Sequence, residues 1–312
     1  GQIANDRARH AYLFTGPHGV GRRSLALRLA QGLNCPQPAA PGIPCGTCRT
    51  CQHIEQMQHP DLAVVQSERV GGSLKVDQIR ELQRGLALTP YEAKYRVALL
   101  LRFEEANPNA ANALLKTLEE PPPQVVMMLT ASDAESLLPT IVSRCEVIRL
   151  RPLPLDVVAA GLQTRWGLPP EDARLLAHIS GGRPGYAINL HQNPETLKQR
   201  QTWLDDHQHL LGASRVERFA YAEELAKDKI ALQGALDIWL SLWRDVMLRA
   251  AGASAPLTNP DREAEIEQLA AILDMPIAKG MVDTLERTQY LLDRYVNTRL
   301  TVEVLMLDLP RI

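Results

Sequence analysis

The sequence predicts a doubly wound α/β domain on a parallel sheet, followed by a small helical segment and then an all-α region. Three observations carry this. A glycine loop at residues 16–24 sits between an apolar run and an amphipathic stretch. Short apolar runs then alternate with helix-period segments as far as about Leu150. Beyond the linker-like Arg151-Pro152-Leu153-Pro154 the strand signals vanish. At 312 residues the chain exceeds one ordinary core, and the expected division is 1–151, 152–193 and 194–312.

Each element has its own signal. Ala11-Tyr12-Leu13-Phe14, Leu62-Ala63-Val64-Val65, Val97-Ala98-Leu99-Leu100-Leu101, Val125-Val126-Met127-Met128-Leu129-Thr130 and Val147-Ile148-Arg149-Leu150 are short apolar runs. The last four lack alternation, which suits strands buried on both faces. Between them, Val76, Ile79, Leu82 and Leu86 recur at helical spacing. The best-marked helix runs from Pro108 to Glu119: Asn107 is a good N-cap, Pro108 suits the first helical position, and Pro121-Pro122-Pro123 stops it. Residues 155–193 read as short helices broken by Gly181-Gly182-Arg183-Pro184-Gly185. Thereafter Leu232, Leu236, Trp239, Leu240, Trp243, Val246 and Met247 mark one apolar stripe, and Met281, Leu285, Leu292, Tyr295 and Val296 another. The stretch 253–260 separates the two stripes.

The loop reads Gly16-Pro17-His18-Gly19-Val20-Gly21-Arg22-Arg23-Ser24 and opens a helix carrying Leu25, Leu27, Leu29 and Leu33. Strand, glycine loop and helix are the context of a Walker A motif, whose backbone N–H groups and helix dipole cradle phosphate. A working loop adds a Lys for the outer phosphates and a Ser or Thr for magnesium. Those positions hold Arg22 and Arg23. Ser24 comes one residue late, about 100° further round the helix, and faces away from the metal position. The scaffold predicts a nucleotide-binding fold; the side chains predict poor or absent hydrolysis and weak or absent ATP binding. Arg22 and Arg23 either still capture phosphate through guanidinium contacts or fill a closed site as helix-face charges.

Net charge is −2, which selects neither for nor against nucleic acid. No apolar run approaches the ~20 residues of a membrane span. No signal peptide is visible, and a start at Gly1 rather than Met reads as loss of a short N-terminal piece. Of five cysteines, Cys35, Cys45, Cys48 and Cys51 cluster and Cys145 stands apart. An odd count without a secretory signal argues against a disulfide framework and for a cytosolic protein. The clustered spacing suits four thiolates closing a tetrahedron around structural zinc, in a Pro- and Gly-rich loop with little core of its own. An iron–sulfur cluster or unmetallated thiols are the alternatives. His53 lies near enough to substitute as a ligand but reads as a surface histidine.

Together, several runs resemble the bacterial clamp-loader subunits of the AAA+ class. They are His10-Ala11-Tyr12-Leu13-Phe14-Thr15-Gly16-Pro17-His18-Gly19-Val20-Gly21, the cysteine module after the loop helix, Ala113-Leu114-Leu115-Lys116-Thr117-Leu118-Glu119-Glu120-Pro121 and Ser143-Arg144-Cys145. Residues 181–185 and Asn297-Thr298-Arg299-Leu300 fit that family's lid and collar, so the resemblance spans essentially the whole chain. It implies an AAA+ P-loop domain, a helical lid and a helical collar. It also implies gamma/tau ATPase subunits and a delta subunit as partners. Primed DNA and a sliding clamp would be reached through the assembly, in the cytoplasm at a nucleoid-associated replisome and with no membrane.

Within that family, an ATPase needs a Walker B acid at the end of the third strand. That position falls at Leu101 or Arg102. Glu104 and Glu105 follow and a shifted register would bring one in, but Arg102-Phe103 already ends the apolar strand and two extended residues displace a carboxylate by about 6–7 Å, which argues against it. With the loop Lys and both magnesium contacts gone, the pattern reads as a retired ATPase. The resemblance implies that Arg144 reaches the neighbouring subunit's ATP in trans, an effect worth ~10³ to 10⁵ in rate in well-studied cases; the alternative is a surface or salt-bridged arginine. It also implies a sensor-2-like role for Arg183, here structural, holding the lid against the core. Thr130 and Ser132 fall where the family's first sensor lies. Lys116, Glu119 and Glu120 read as a solvated helix end, and Cys145 as a core thiol made inert by burial. Two rivals remain: an active ATPase with a rearranged site, and a standalone DNA-binding protein, against which the charge and the absence of basic runs count.

Overall fold

The structure, a computed structural model, describes residues 8–69, 71–292, 294 and 296–312. It divides after Pro152 into two compact units.

The first unit runs β1 (Ala11–Thr15), α1 (Arg22–Asn34), α2 (Arg49–Glu55), β2 (Leu62–Val65), α3 (Val76–Leu86), β3 (Arg96–Leu100), α4 (Pro108–Glu119), β4 (Val125–Ala131), α5 (Pro139–Val142) and β5 (Glu146–Arg149). Its strands form one parallel sheet in the order β2-β3-β4-β1-β5. Side chains alternate between two cores, one on each face: Leu13, Ala98, Leu100 and Leu129 pack with α3 and α4 residues, whereas Tyr12, Phe14, Leu99 and Met128 pack with α1 residues. Helices on both faces explain why the central strands are unbroken apolar runs. Burial on both faces does not extend to the two edges. Val64 and Val65 of β2 and Val147 and Ile148 of β5 are only half-buried, because an edge strand has a neighbour on one side alone. Asn107 caps α4 through its side chain, accepting from the N–H of Ala110, with Pro108 at the first helical position.

β3 ends at Leu100, one residue before its apolar run does. Leu101 still donates its N–H to the Val65 carbonyl, but Arg102 takes a left-handed conformation (φ 50°, ψ 56°) and residues 103–105 make a 3₁₀ turn. The Thr130 hydroxyl accepts the Arg102 N–H at 2.9 Å, offsetting part of the cost of this backbone geometry. The chain therefore folds back at the sheet's upper edge instead of continuing outward.

The second unit is entirely helical among its described residues. α6 (Leu155–Trp166), α7 (Pro170–Ile179) and α8 (Pro184–Gln192) share a small core of Val158, Leu162, Leu176, Ile179 and Leu190. The break between α7 and α8 requires glycine: Gly182 has φ +74°, and a Cβ there would lie 2.1 Å from the Leu153 carbonyl oxygen. α9 (Pro194–Gly212), α10 (Arg215–Leu225), α11 (Lys229–Ala250), α12 (Glu263–Ile272), α13 (Met275–Leu292) and α14 (Thr298–Asp308) enclose a separate core around Trp239 and Trp243. Leu232, Leu236, Leu240, Val246, Met281, Leu285 and Leu292 are buried there as their spacing predicts, and Met247 is half-buried against it. Val296 departs from its stripe: it follows α13 rather than belonging to it and is 41% exposed. Tyr295 lies outside the described residues. Among the described residues no helix is long and apolar enough to cross a membrane.

Candidate functional site

β1 delivers the chain into the glycine loop at Gly16, whose φ of +142° and 2.5 Å clearance from a built Cβ to the Leu150 carbonyl oxygen admit no side chain. The Gly16 N–H donates to the Ser132 carbonyl at 3.0 Å, tying the loop to the end of β4. Gly21 caps α1 in the left-handed conformation (φ 107°), leaving first-turn N–H groups directed into the loop.

Arg22 begins α1 and turns inward. Its side chain is 11% exposed, with Nη1 3.8 Å from Oε1 of Glu104. Burial lowers the guanidinium pKa, Glu104 opposes that shift, and Arg102 adds repulsion. Neither Nη1 of Arg22 nor Oε2 of Glu104 makes a hydrogen bond. Arg23 and Ser24 are exposed, Ser24 as its helical position predicts. The two arginines therefore part company: Arg22 lies against Glu104 and Arg23 faces solvent.

Glu104 at the loop corrects the expectation that no acid beyond the third strand comes within reach. The 6–7 Å count assumed continued extension, but the left-handed Arg102 and the 3₁₀ turn reverse the chain and return Glu104 to the loop. There its Oε1 also accepts the Ser132 N–H at 3.1 Å. Glu105 points elsewhere, accepting from Arg102 Nε at 2.9 Å, the Gly71 N–H at 2.8 Å and the Ser67 hydroxyl. At the strand end itself Leu101 is buried and Arg102 half-buried. Thr130 is committed to the Arg102 backbone. Ser132 contributes its backbone to the loop and its hydroxyl to Asp133 at 3.1 Å.

The four clustered cysteines converge. Cys35, Cys45 and Cys48 are half-buried, Cys51 is buried, and all four sulfurs lie within 4.8 Å of one another. Sulfurs are 3.5 Å apart for Cys35 and Cys45, 3.9 Å for Cys45 and Cys51, and 4.0 Å for Cys35 and Cys48. A tetrahedron with Zn–S bonds of about 2.3 Å places its sulfurs about 3.8 Å apart, so the cluster can hold one metal ion and its dimensions are compatible with zinc. The knuckle also favours one thiolate of the set. The Cys48 N–H, then that of Thr47, pulls the Cys45 thiol down to about 6, while burial pushes Cys51 up to about 12. A cation would displace the remaining protons. His53 is half-buried and outside the cluster.

Arg144 follows α5 and precedes β5. Its Nη1 donates to the Thr140 carbonyl at 2.8 Å and its Nη2 meets Glu119 Oε1 at 2.6 Å, with the Arg144 side chain 34% exposed. Both residues line an open cleft of about 700 Å³ together with Arg9, His10 and Glu146. Glu119 is thus not merely part of a solvated helix end, although Lys116 and Glu120 are exposed as expected. Its role is invisible in sequence because the partner lies 25 residues on, across a strand and a short helix. Cys145 precedes β5 and is half-buried rather than a core residue; burial pushes its thiol up to about 12, which keeps it protonated. Arg183 is engaged within its own helical unit, donating Nε to the Ser180 carbonyl at 2.6 Å and lying 4.7 Å over the Tyr186 ring.

A parallel sheet of this order with a glycine loop after its first strand, followed by a helical unit, defines a P-loop-type α/β fold with helical domains after it. A solved gamma subunit-related protein of DNA polymerase III from Thermotoga maritima shares the fold, with a TM-score of 0.50 at 16% identity over 98% of this chain and 95% of that one. Family models described as "DNA polymerase III, delta subunit" and "DNA polymerase III, delta subunit, C terminal" match residues 1–154 and 194–310. DNA polymerase III subunit delta' of Bacillus subtilis (strain 168) is 32% identical over 272 residues, 86% of this chain and 80% of that protein. The subunit delta' of Pseudomonas aeruginosa (PAO1) is 42% identical over 188 residues, 58% of this chain and 56% of that protein. The chain belongs to the DNA polymerase III subunit delta' family.

Proposed function

We propose that this chain is a non-hydrolysing subunit of a replicative clamp loader that lends Arg144 to the ATP site of a neighbouring gamma/tau-type ATPase. The observation that carries this reading is the loop. The positions of the catalytic Lys and the magnesium-binding hydroxyl hold Arg22 and Arg23, and Arg22 is turned into the loop against Glu104. The pair fills the cradle with both charges: the guanidinium stands where the metal would, and Glu104 competes with a nucleotide phosphate for it. The fold is then retained for what it presents outward. Arg144 sits at the sheet's β5 edge in an open cleft, partly exposed, and a guanidinium offered there would stabilise charge developing on a transferred phosphoryl group.

In this reading the chain has three working parts: the α/β core at 1–151, a lid at 152–193, and a collar domain at 194–312 that joins neighbouring subunits, including a delta subunit. Cys35, Cys45, Cys48 and Cys51 hold a structural zinc ion that braces the loop between α1 and α2. The clamp and primed DNA are handled by the whole assembly. Arg183 serves the lid's own packing.

The test is Arg144→Ala in the reconstituted complex. Assembly is retained, and DNA-stimulated ATP turnover falls by about a thousandfold or more, within the range of arginine-finger losses. Unchanged turnover refutes the role in trans. A second reading, an active ATPase with a rearranged site, is favoured by one observation, the return of the Glu104 carboxylate to the loop. ATP hydrolysis by the isolated chain, abolished by Glu104→Gln, would establish it instead.

A further inference from the structure

We infer that Glu119 is a positioning residue for Arg144. Its carboxylate and the Thr140 carbonyl hold the guanidinium in one orientation, so that its remaining N–H donors are presented to an oxyanion of a neighbouring subunit's nucleotide. The inference rests on the reading of Arg144 as a group that acts in trans.

Two elements make the tie, and each is fixed independently. Glu119 is the last residue of α4, whose start is set by the Asn107 cap and Pro108 and whose end is set by Pro121-Pro122-Pro123. Thr140 lies in α5, one turn before Arg144. The guanidinium donates Nη1 to the Thr140 backbone carbonyl at 2.8 Å and Nη2 to the Glu119 carboxylate at 2.6 Å, so both terminal nitrogens are anchored, one by backbone and one by a side chain at a helix end. With the Ser143 hydroxyl accepting from Nη1 as well, at 3.4 Å, three of its five N–H groups are used and two remain for a ligand. Because the fork is planar, fixing both terminal nitrogens fixes the direction of the others.

Exposure separates this role from a stabilising one. The pair is 34% and 50% exposed, where an ion pair contributes little to folding. An unheld arginine, however, must be ordered at the moment the nucleotide docks, and that ordering cost falls on the reacting state. Holding the side chain beforehand is therefore worth more to turnover than to stability.

The experiment uses the full clamp-loader complex reconstituted with gamma/tau-type ATPase subunits, comparing wild type, Glu119→Gln, Glu119→Asp, Arg144→Ala and the Glu119→Gln/Arg144→Ala double variant. Glu119→Gln lowers DNA-stimulated turnover about three- to tenfold, the size expected for freeing one long side chain, with the KM for ATP unchanged. Glu119→Asp recovers part of the loss, and Glu119→Gln costs nothing further once Arg144 is gone. If Arg144→Ala lowers turnover while Glu119→Gln equals or exceeds wild type, the positioning role is overturned and the role in trans stands. A Glu119→Gln loss that persists undiminished in the Arg144→Ala background also overturns positioning. If Arg144→Ala has no effect, both readings fall together.

Discussion

The pair inside the glycine loop makes an asymmetric prediction. At 3.8 Å and an effective dielectric constant near 20, the Arg22–Glu104 attraction is about 4 kcal/mol before desolvation is subtracted. Glu104→Gln removes the attraction but leaves the inward-turned guanidinium beside Arg102, with an Nη1 that has no hydrogen-bond partner. The net loss expected is about 2 kcal/mol, somewhat under the cost of stranding a fully buried charge. Arg22→Met costs less, because Glu104 is 24% exposed and keeps its bond from the Ser132 N–H. All four tryptophans lie in the helical unit, so their fluorescence does not report on the loop. Amide hydrogen exchange in β1 and α1 does report on it, and 2 kcal/mol corresponds to about thirtyfold faster exchange wherever opening of this unit limits it. The Arg22→Met/Glu104→Gln double variant should recover most of the protection. Unchanged exchange in Glu104→Gln, or a larger effect from Arg22→Met, would refute the idea that a charge balance closes the loop.

Elemental analysis of the purified chain should find one zinc ion per molecule, and Cys45→Ser should lose it and open residues 35–51 to protease; zinc-free protein with an unaltered digestion pattern would discard the structural metal. His207 is fully buried between Trp239 and Trp243, its Nε2 accepting from Trp243 Nε1 at 2.9 Å, and burial drops its pKa to about 3. The unfolded chain takes up this proton below about pH 6.5 while the folded chain does not until about pH 3, so stability is full above pH 6.5 and falls as pH drops between those limits. At pH 5 the loss is about 2 kcal/mol, read as an earlier urea midpoint by tryptophan fluorescence, and His207→Gln should flatten that pH dependence.

What was legible in the sequence followed from local rules. The α4 boundaries were written in Asn107, Pro108 and Pro121, and the central strands in runs with no polar interruption. The cysteine cluster was legible because ligand spacing constrains geometry within one loop. What failed depended on a single backbone angle or on distant partners. No pattern around Arg102 announces a non-glycine residue with positive φ, yet that residue decides where Glu104 goes. The half-buried edge strands were missed because β2 carries the same apolar composition as the interior strands, the charged ends of β5 (Glu146 and Arg149) were given no weight, and strand order is not a local property. Buried arginines were equally invisible: Arg218 spends its guanidinium on the carbonyls of Leu210, Leu211, Met306, Leu309 and Pro310, and Arg200 grips Asp261 and Asn259.

Arg22 and Arg144 bear on the proposed division of labour through the same chemistry set in opposite surroundings. Each guanidinium meets one glutamate, but the Arg22 pair is turned inward, 11% and 24% exposed, whereas the Arg144 pair is 34% and 50% exposed on an open cleft. An inward pair gives up its attraction only at a large desolvation cost, so the cation is unavailable to any ligand. An exposed pair is worth little to folding, and its guanidinium still turns N–H groups toward solvent that can meet a phosphate while the carboxylate stays in place. Burial, rather than residue type, thus separates an arginine that closes a site from one that can be lent to another. Exchanging the exposures should exchange the roles: opening the Arg22 pocket by shortening Glu104 to Asp ought to admit phosphate there before any change at Arg144 does so.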